Sequence, residues 1–348
     1  MQRIATRPVF TVGTRTYLWP DVVVAAHLWG DYAALERQTR DGLAWVMHLA
    51  KKGQGVSESD ADELGDAWRY DRDLLAADDL QQWLDEHLLG MDEWLAFIER
   101  AVLRSRGAAP RIKVPAADVE AAIYAEAVCS GTLQGVAARL AGLAAAYDRV
   151  DAEGKGAHCP KTAVRNALKP LPAAVRRDGV LDLGPRQTLA RAEHVACLQI
   201  VCQRFLDAAV APAALEREIE THRLDWTRLV CETAPFASEE AAREAALLVR
   251  EDSFPLADAA AMGKTTVTRT RFVLDDIEPP LRDRLVGARP GDLIAPVASN
   301  GNYLVVSVVE RVEPTAKDRD VRTRAADRIA ARTIQREVEN RVRWHDRF

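Results

Sequence analysis

The chain has 348 residues, a net charge of −5 and 48% apolar residues. That length allows two or three cores, and the alanine-rich, aromatic-poor composition of a globular chain favours helix. Among residues 1–105, 18 acids face 11 bases, which excludes the clustered basic surface a nucleic-acid binder needs, and no apolar run is long enough to span a bilayer.

Val9 to Leu18 holds a Val-Gly-Thr-Arg turn between β-prone runs and predicts a small hairpin. Trp19-Pro20-Asp21 then opens a helix, with proline where its missing N–H costs least. Gly30 interrupts, and a second helix runs to Lys51-Lys52-Gly53, residues that suit a helix C-terminus. Ser57-x-x-Asp60 resembles a capping box and starts a third helix. Asp78 starts a fourth, ended by Gly90, and Asp92 a fifth, ended near Gly107. Six of the eight tryptophans lie here, Trp19, Trp29, Trp45, Trp68, Trp83 and Trp94. Each falls on or beside an apolar helix face. Core packing is the expected role for most of them, while one or two could line a peptide groove.

Ala108 to Pro115 reads as a linker. From Ala116 to His222 the pattern is nearly all helix, with breaks at Gly154-Lys155-Gly156, Lys169-Pro170-Leu171-Pro172 and Gly179 to Pro185. Thr188 to Ala211 is apolar on most sides and predicts a central, buried helix. The five cysteines, Cys129, Cys159, Cys197, Cys202 and Cys231, form no Cys-x-x-Cys pair and are expected as free thiols in a reducing cytoplasm. The absence of an apolar segment at the N-terminus leads to the same expectation. His194-x-x-Cys197-x-x-x-x-Cys202 does not place three ligands on one helix face and lacks a fourth, so no metal is expected. No phosphate-binding loop and no nucleophile–base set occurs at useful spacing, so no cofactor and no catalytic residue are expected.

Strand chemistry is concentrated between Leu224 and Pro314. Leu224 to Thr233 alternates like a strand. Ser238 to Arg250 and Phe254 to Met262 read as helices, and Thr266 to Leu274 as a strand rich in Thr, Val and Phe. Pro279 to Leu285 is a short helix with proline in its first turn. Leu293 to Ala298, the turn Ser299-Asn300-Gly301-Asn302, and Tyr303 to Val312 form a hairpin. A last helix runs from Asp318 to about Trp344. Its apolar residues form two sets, Val321, Ala325, Ile329 and Ile334, Val338, Val342, which fall on different sides and predict different packing partners.

This order of elements resembles the parvulin-type prolyl isomerase fold, through Ser238 to Ala245, Pro280 to Leu285, Pro290-Gly291-Asp292-Leu293-Ile294-Ala295-Pro296-Val297 and Gly301 to Arg311, about a quarter of the chain. The whole arrangement is similar to that of SurA-type chaperones, whose last helix returns to the N-terminal region. The resemblance implies an α+β chain in four parts. These are an N-terminal hairpin and helical region over 1–107, a helical middle region over 112–222, a parvulin-like domain over 223–314, and a returning helix over 315–348. The departures bear on activity. The family's first histidine aligns near Thr227 and its second with Leu304, and no histidine occurs between Arg223 and Trp344. The pocket methionine and phenylalanine fall near Asp276 and Leu281.

The expectation is therefore a cytoplasmic, non-catalytic peptide-binding protein. Val9-Phe10-Thr11-Val12-Gly13 followed by Tyr17-x-Trp19-x-Asp21-Val22-Val23 is similar to crocagin-type proteins of ribosomal-peptide maturation. That likeness implies a precursor or leader peptide as partner and a peptide-modifying enzyme to receive it, with neither nucleic acid nor membrane as a partner. The alternatives are a divergent prolyl isomerase and a structural subunit holding a segment of another protein. An extended peptide would add to an exposed strand, with Leu224 to Thr233 and Thr266 to Leu274 as candidate edges. Trp226 is the expected anchor, with Arg228, Phe272, Leu281 and Leu304 around it.

Overall fold

The computed structural model describes residues 4–154, 158–181, 183–299 and 301–345. Asn300 of the expected turn, and Lys155 and Gly156 of an expected break, lie outside them. The chain is α+β and divides into two units, Met1–Leu206 with Ile334–Phe348, and Asp207–Thr333.

The first unit opens with the expected hairpin, β1 (Pro8–Val12) and β2 (Arg15–Leu18). Then come α1 (Trp19–Trp29), α2 (Asp31–Ala50), α3 (Glu58–Tyr70), α4 (Ala77–Glu86) and α5 (Met91–Ser105). Gly30 separates α1 from α2 at φ 86°, a left-handed conformation that glycine adopts without penalty. Ser57 caps α3 by accepting from the Asp60 N–H at 3.1 Å. After the linker follow α6 (Ala116–Cys129), α7 (Thr132–Ala152), the short α8 (Lys161–Ala167) and α9 (Ala173–Asp178), and α10 (Pro185–Ala209).

One apolar core contains residues from Ile4 to Leu198, so the N-terminal and middle regions share it. Trp19, Trp68 and Trp94 are buried there, and Trp29 and Trp83 pack against it half-buried. Glu126 on α6 is wholly buried and accepts from Arg100 Nε at 3.0 Å and Arg104 Nη2 at 2.7 Å, which ties α5 to α6. α10 is less enclosed than its composition suggested. Its core-facing residues run from Thr188 to Cys202, and Gln203 and Arg204 beyond them are exposed.

The cysteine expectation is corrected. Cys159 and Cys197 form a disulfide with their Cα atoms 5.7 Å apart, while Cys129, Cys202 and Cys231 are free and buried. A sequence separation of 38 carries no sign of this pairing, because it arises when the segment before α8 folds onto the middle of α10.

The second unit contains α11 (Pro212–Thr221), β3 (Arg228–Phe236), α12 (Glu239–Glu251), α13 (Leu256–Met262), β4 (Thr268–Val273), α14 (Pro279–Leu285), β5 (Leu293–Ser299), β6 (Asn302–Val312) and the first part of α15 (Arg319–Arg341), whose residues from Ile334 on belong to the first unit. Its strands form one antiparallel sheet in the order β4-β3-β6-β5. α14 covers one face over a core of Leu229, Cys231, Leu281, Leu285, Val306 and Val308. α12 and α13 cover the other over Ala234, Phe236 and Val305.

The halves of α15 do have different partners. Ala325 packs with Ile219 and Trp226 in the second unit, while Ile334 reaches Gly142 of α7 in the first. The expected helix to Trp344 stops at Arg341. The chain then extends as β7 (Val342–Trp344), which pairs with β1 and gives the first unit a three-stranded sheet in the order β2-β1-β7. The return of the C-terminus is thus made by a strand as well as by a helix end. Phe10 sits between Tyr17, stacked at 4.6 Å, and Trp344, edge-on at 5.4 Å.

Candidate functional site

The sheet of the second unit has two edges of different character. β5 carries Pro296, which has no N–H to offer, and both α12 and α14 pack against this strand. β4 packs extensively on β3 alone. Its register with β3 runs from Arg228↔Val273 to Thr233↔Thr268, and beyond the strand Leu274 N–H donates inward to Thr227 O at 3.1 Å. Donors in an antiparallel strand alternate in direction, so the N–H groups of Arg269 and Arg271 face away from β3. Both arginine side chains are exposed.

This corrects one candidate edge. The run beginning at Leu224 becomes a strand only at Arg228, since 223–226 form turns after α11. β3 then pairs on both sides, with β4 and β6, and is interior. The run from Thr266 to Leu274 is the edge.

The expected site residues separate. Trp226, the expected anchor, is 2% exposed and packs with Ile219 and Ala325. His222 stacks on its ring at 4.9 Å. Trp226 therefore offers no surface to a peptide and belongs to the core. Arg228 forms an ion pair with Asp318 at 3.0 Å and braces the start of α15. Phe272, Leu281 and Leu304 belong to one apolar cluster, but the register sets Phe272 opposite Leu229 and Leu304 opposite Pro235, towards the two ends of β3. Leu281 is buried in the core under α14, and Phe272 and Leu304 pack against that core half-buried.

The polar groups on this face are few. Thr233 Oγ1 donates to Thr268 O at 3.2 Å and lies 3.3 Å from Thr270 Oγ1. Burial pushes the Cys231 thiol up to about 11, so it stays protonated and is no nucleophile near neutral pH. Thr227, near the first histidine position of the resembled family, is buried, and its Oγ1 donates to Arg223 O at 2.8 Å. Asp276 accepts from Arg324 Nη2 at 2.7 Å. His194, one member of the rejected metal set, has Nε2 3.0 Å from Tyr17 Oη, and Cys197 is in the disulfide. Burial holds the His194 ring down to about 4.

Sequence reasoning passed over His222. Its side chain lies 3.5 Å from the carboxylates of both Glu218 and Asp225. Spacing along α11 could have paired it with Glu218. It lies beside Trp226 and not near Leu304.

No protein-family model matches the chain, and no curated protein matches it. Among solved structures it is similar to PrsA from Bacillus subtilis, at 12% identity over 64% of this chain and 86% of that one, with a TM-score of 0.23. It is also similar to a peptidylprolyl isomerase, PrsA, from Bacillus anthracis, at 14% identity over 57% and 94%, with a TM-score of 0.26. A third similarity is to a SurA-like chaperone structure of Campylobacter jejuni, at 11% identity over 56% and 88%, with a TM-score of 0.24.

Proposed function

We propose that this chain is a non-catalytic peptide-binding protein that takes an extended segment of its client along β4. The observation that carries the reading is the free edge itself. β4 turns the N–H groups of Arg269 and Arg271 outward, where a client strand finds main-chain partners. Phe272, on β4 itself, lies half-buried and supplies apolar contact for a client side chain on that face of the sheet.

The reading is non-catalytic because Thr227 and Leu304 stand where the resembled isomerases place histidines, and Cys231, the only thiol on the face under α14 among the described residues, is held protonated by burial. The client we favour is a ribosomal precursor peptide, held for a modifying enzyme. Ordering a disordered client costs about 2–5 kcal/mol, so affinities in the micromolar range are expected.

Arg271→Pro tests this. Proline removes an outward donor and is tolerated at a sheet edge. The variant should melt close to the parent and bind the precursor peptide about tenfold or more weakly, since each lost main-chain bond weakens the added strand. Isothermal titration reads the affinity. Unchanged affinity in a folded variant would exclude β4 as the binding strand. Catalysed Xaa-Pro isomerisation in a protease-coupled assay would turn the reading to the divergent isomerase.

A further inference from the structure

The free edge of β4 carries a charge pattern of its own. Side chains alternate between the two faces of a sheet. Arg269 and Arg271 therefore share one face, and Thr268, Thr270 and Phe272 the other. Along the strand the two arginines stand about 6.5 Å apart. Both are exposed, and neither guanidinium has an ion pair or a hydrogen bond among the described residues. The register sets Val230 opposite Arg271 and Glu232 opposite Arg269. Glu232 is half-buried on the interior strand and forms no ion pair with Arg269. Glu310 lies a strand further in, on β6, where it faces Val230. The rim of this face thus ends in two cations, with the carboxylates set back from it.

The backbone decides which client residues would meet those cations. In an antiparallel ladder a residue that turns its N–H to a neighbour turns its C=O there too, and exchanges both bonds with the residue opposite. Arg269 and Arg271 turn theirs away from β3. A strand added antiparallel would place two of its residues, i and i+2, directly opposite them, with Cα atoms about 5.5 Å away. The side chains of those two residues would lie on the arginine face. The residue between them would fall on the other face, opposite Thr270, and the residue before them opposite Phe272.

We propose that β4 selects client strands carrying acidic residues at i and i+2 with a β-branched or apolar residue between them. This rests on strand addition at β4 and adds the chemistry of the client. A carboxylate opposite each arginine meets a planar guanidinium that can bind it through two parallel N–H groups. A threonine or valine opposite Thr270 makes a favourable cross-strand pair. The same two cations act against a second copy of β4, which would set arginines against one another. The edge is thereby open to an acidic strand and resists pairing with itself.

The test is isothermal titration of the full chain with three blocked ten-residue peptides, alternating Thr-Glu, Thr-Gln and Thr-Lys. A two-residue repeat keeps its pattern in whichever register it binds. The glutamate peptide should bind about fivefold or more tightly than the glutamine peptide at low salt, since each opposite-charge pair contributes modestly. The lysine peptide should bind most weakly, and the differences should shrink at about 1 M salt. Arg269→Glu combined with Arg271→Glu, both at exposed positions, should reverse the order. Equal affinities for the glutamate and glutamine peptides, both weakened by Arg271→Pro, would overturn acidic selection and leave strand addition standing. A glutamate preference that survives the double reversal would also overturn it, by placing the recognition away from β4. No binding of any peptide by the folded chain would overturn strand addition and the selection that rests on it.

Discussion

His27 sits on α1 with its ring stacked 3.9 Å from that of Tyr32, and burial pushes it down from its ordinary 6.5 to about 4. Between those two values the unfolded chain binds a proton there and the folded chain does not. Stability from this group is therefore full above about pH 6.5 and is lost as pH falls towards 4, at up to about 1.4 kcal/mol per pH unit. His27→Phe keeps an aromatic ring against Tyr32 and removes the titrating group. Urea unfolding near neutral pH and at about pH 5 should show a smaller acid-induced loss in the variant than in the parent. Equal losses would mean that His27 is protonated in the fold. At this scale the sequence was only partly legible. Phe272, Leu281 and Leu304 share a face because alternation along strands and helical spacing place them there. Trp226 was misplaced because an aromatic beside a strand reads alike whether it meets a client or, as here, Ile219 and Ala325.

Among the elements, α7 and the end of α15 meet closely at Gly142. A Cβ added there would come within 2.7 Å of Ile334 Cγ2, inside any real carbon–carbon contact. Isoleucine is stiff at χ1 and yields poorly. Gly142→Val should therefore destabilise the chain by about 1–3 kcal/mol through overpacking. Combining it with Ile334→Ala should cost less than the sum of the two single changes, with a coupling of about 1 kcal/mol or more in a double-mutant cycle. Strict additivity would mean that the two residues do not touch. Most helices, both hairpins and their punctuation by Gly30, Ser57 and Pro279 were legible, since caps and periodicity act over a few residues, but the break at Gly131 between α6 and α7 was not read. Strand order was not. β3 and β4 carry similar residues, and what makes one interior and the other an edge is where β6 pairs, some 70 residues along the chain. β7 was hidden because three residues at the end of a charged helix carry no alternation to read.

At the scale of the whole chain, the disulfide joins the segment before α8 to α10 across 38 residues. A cross-link of that span removes unfolded-state entropy worth about 4 kcal/mol, within a usual range of about 2–4 kcal/mol once native-state effects are included. That is a large share of a total stability of about 5–15 kcal/mol. The three remaining cysteines do not compete for the pairing. Burial pushes the thiols of Cys129, Cys202 and Cys231 up to about 12, 11 and 11, which keeps them from the thiolate form that exchange requires. Disulfides persist in oxidising compartments, and the free-thiol expectation drawn from the scattered cysteines does not hold for this pair. Cys159→Ser and Cys197→Ser should each lower stability by about 2–4 kcal/mol, and a reductant should do the same to the parent while leaving either variant unchanged. Thiol titration of the unreduced, denatured chain should find three reactive cysteines, the number left free in the fold. Five reactive thiols, or a reductant effect equal in parent and variants, would show that Cys159 and Cys197 are neighbours without a bond.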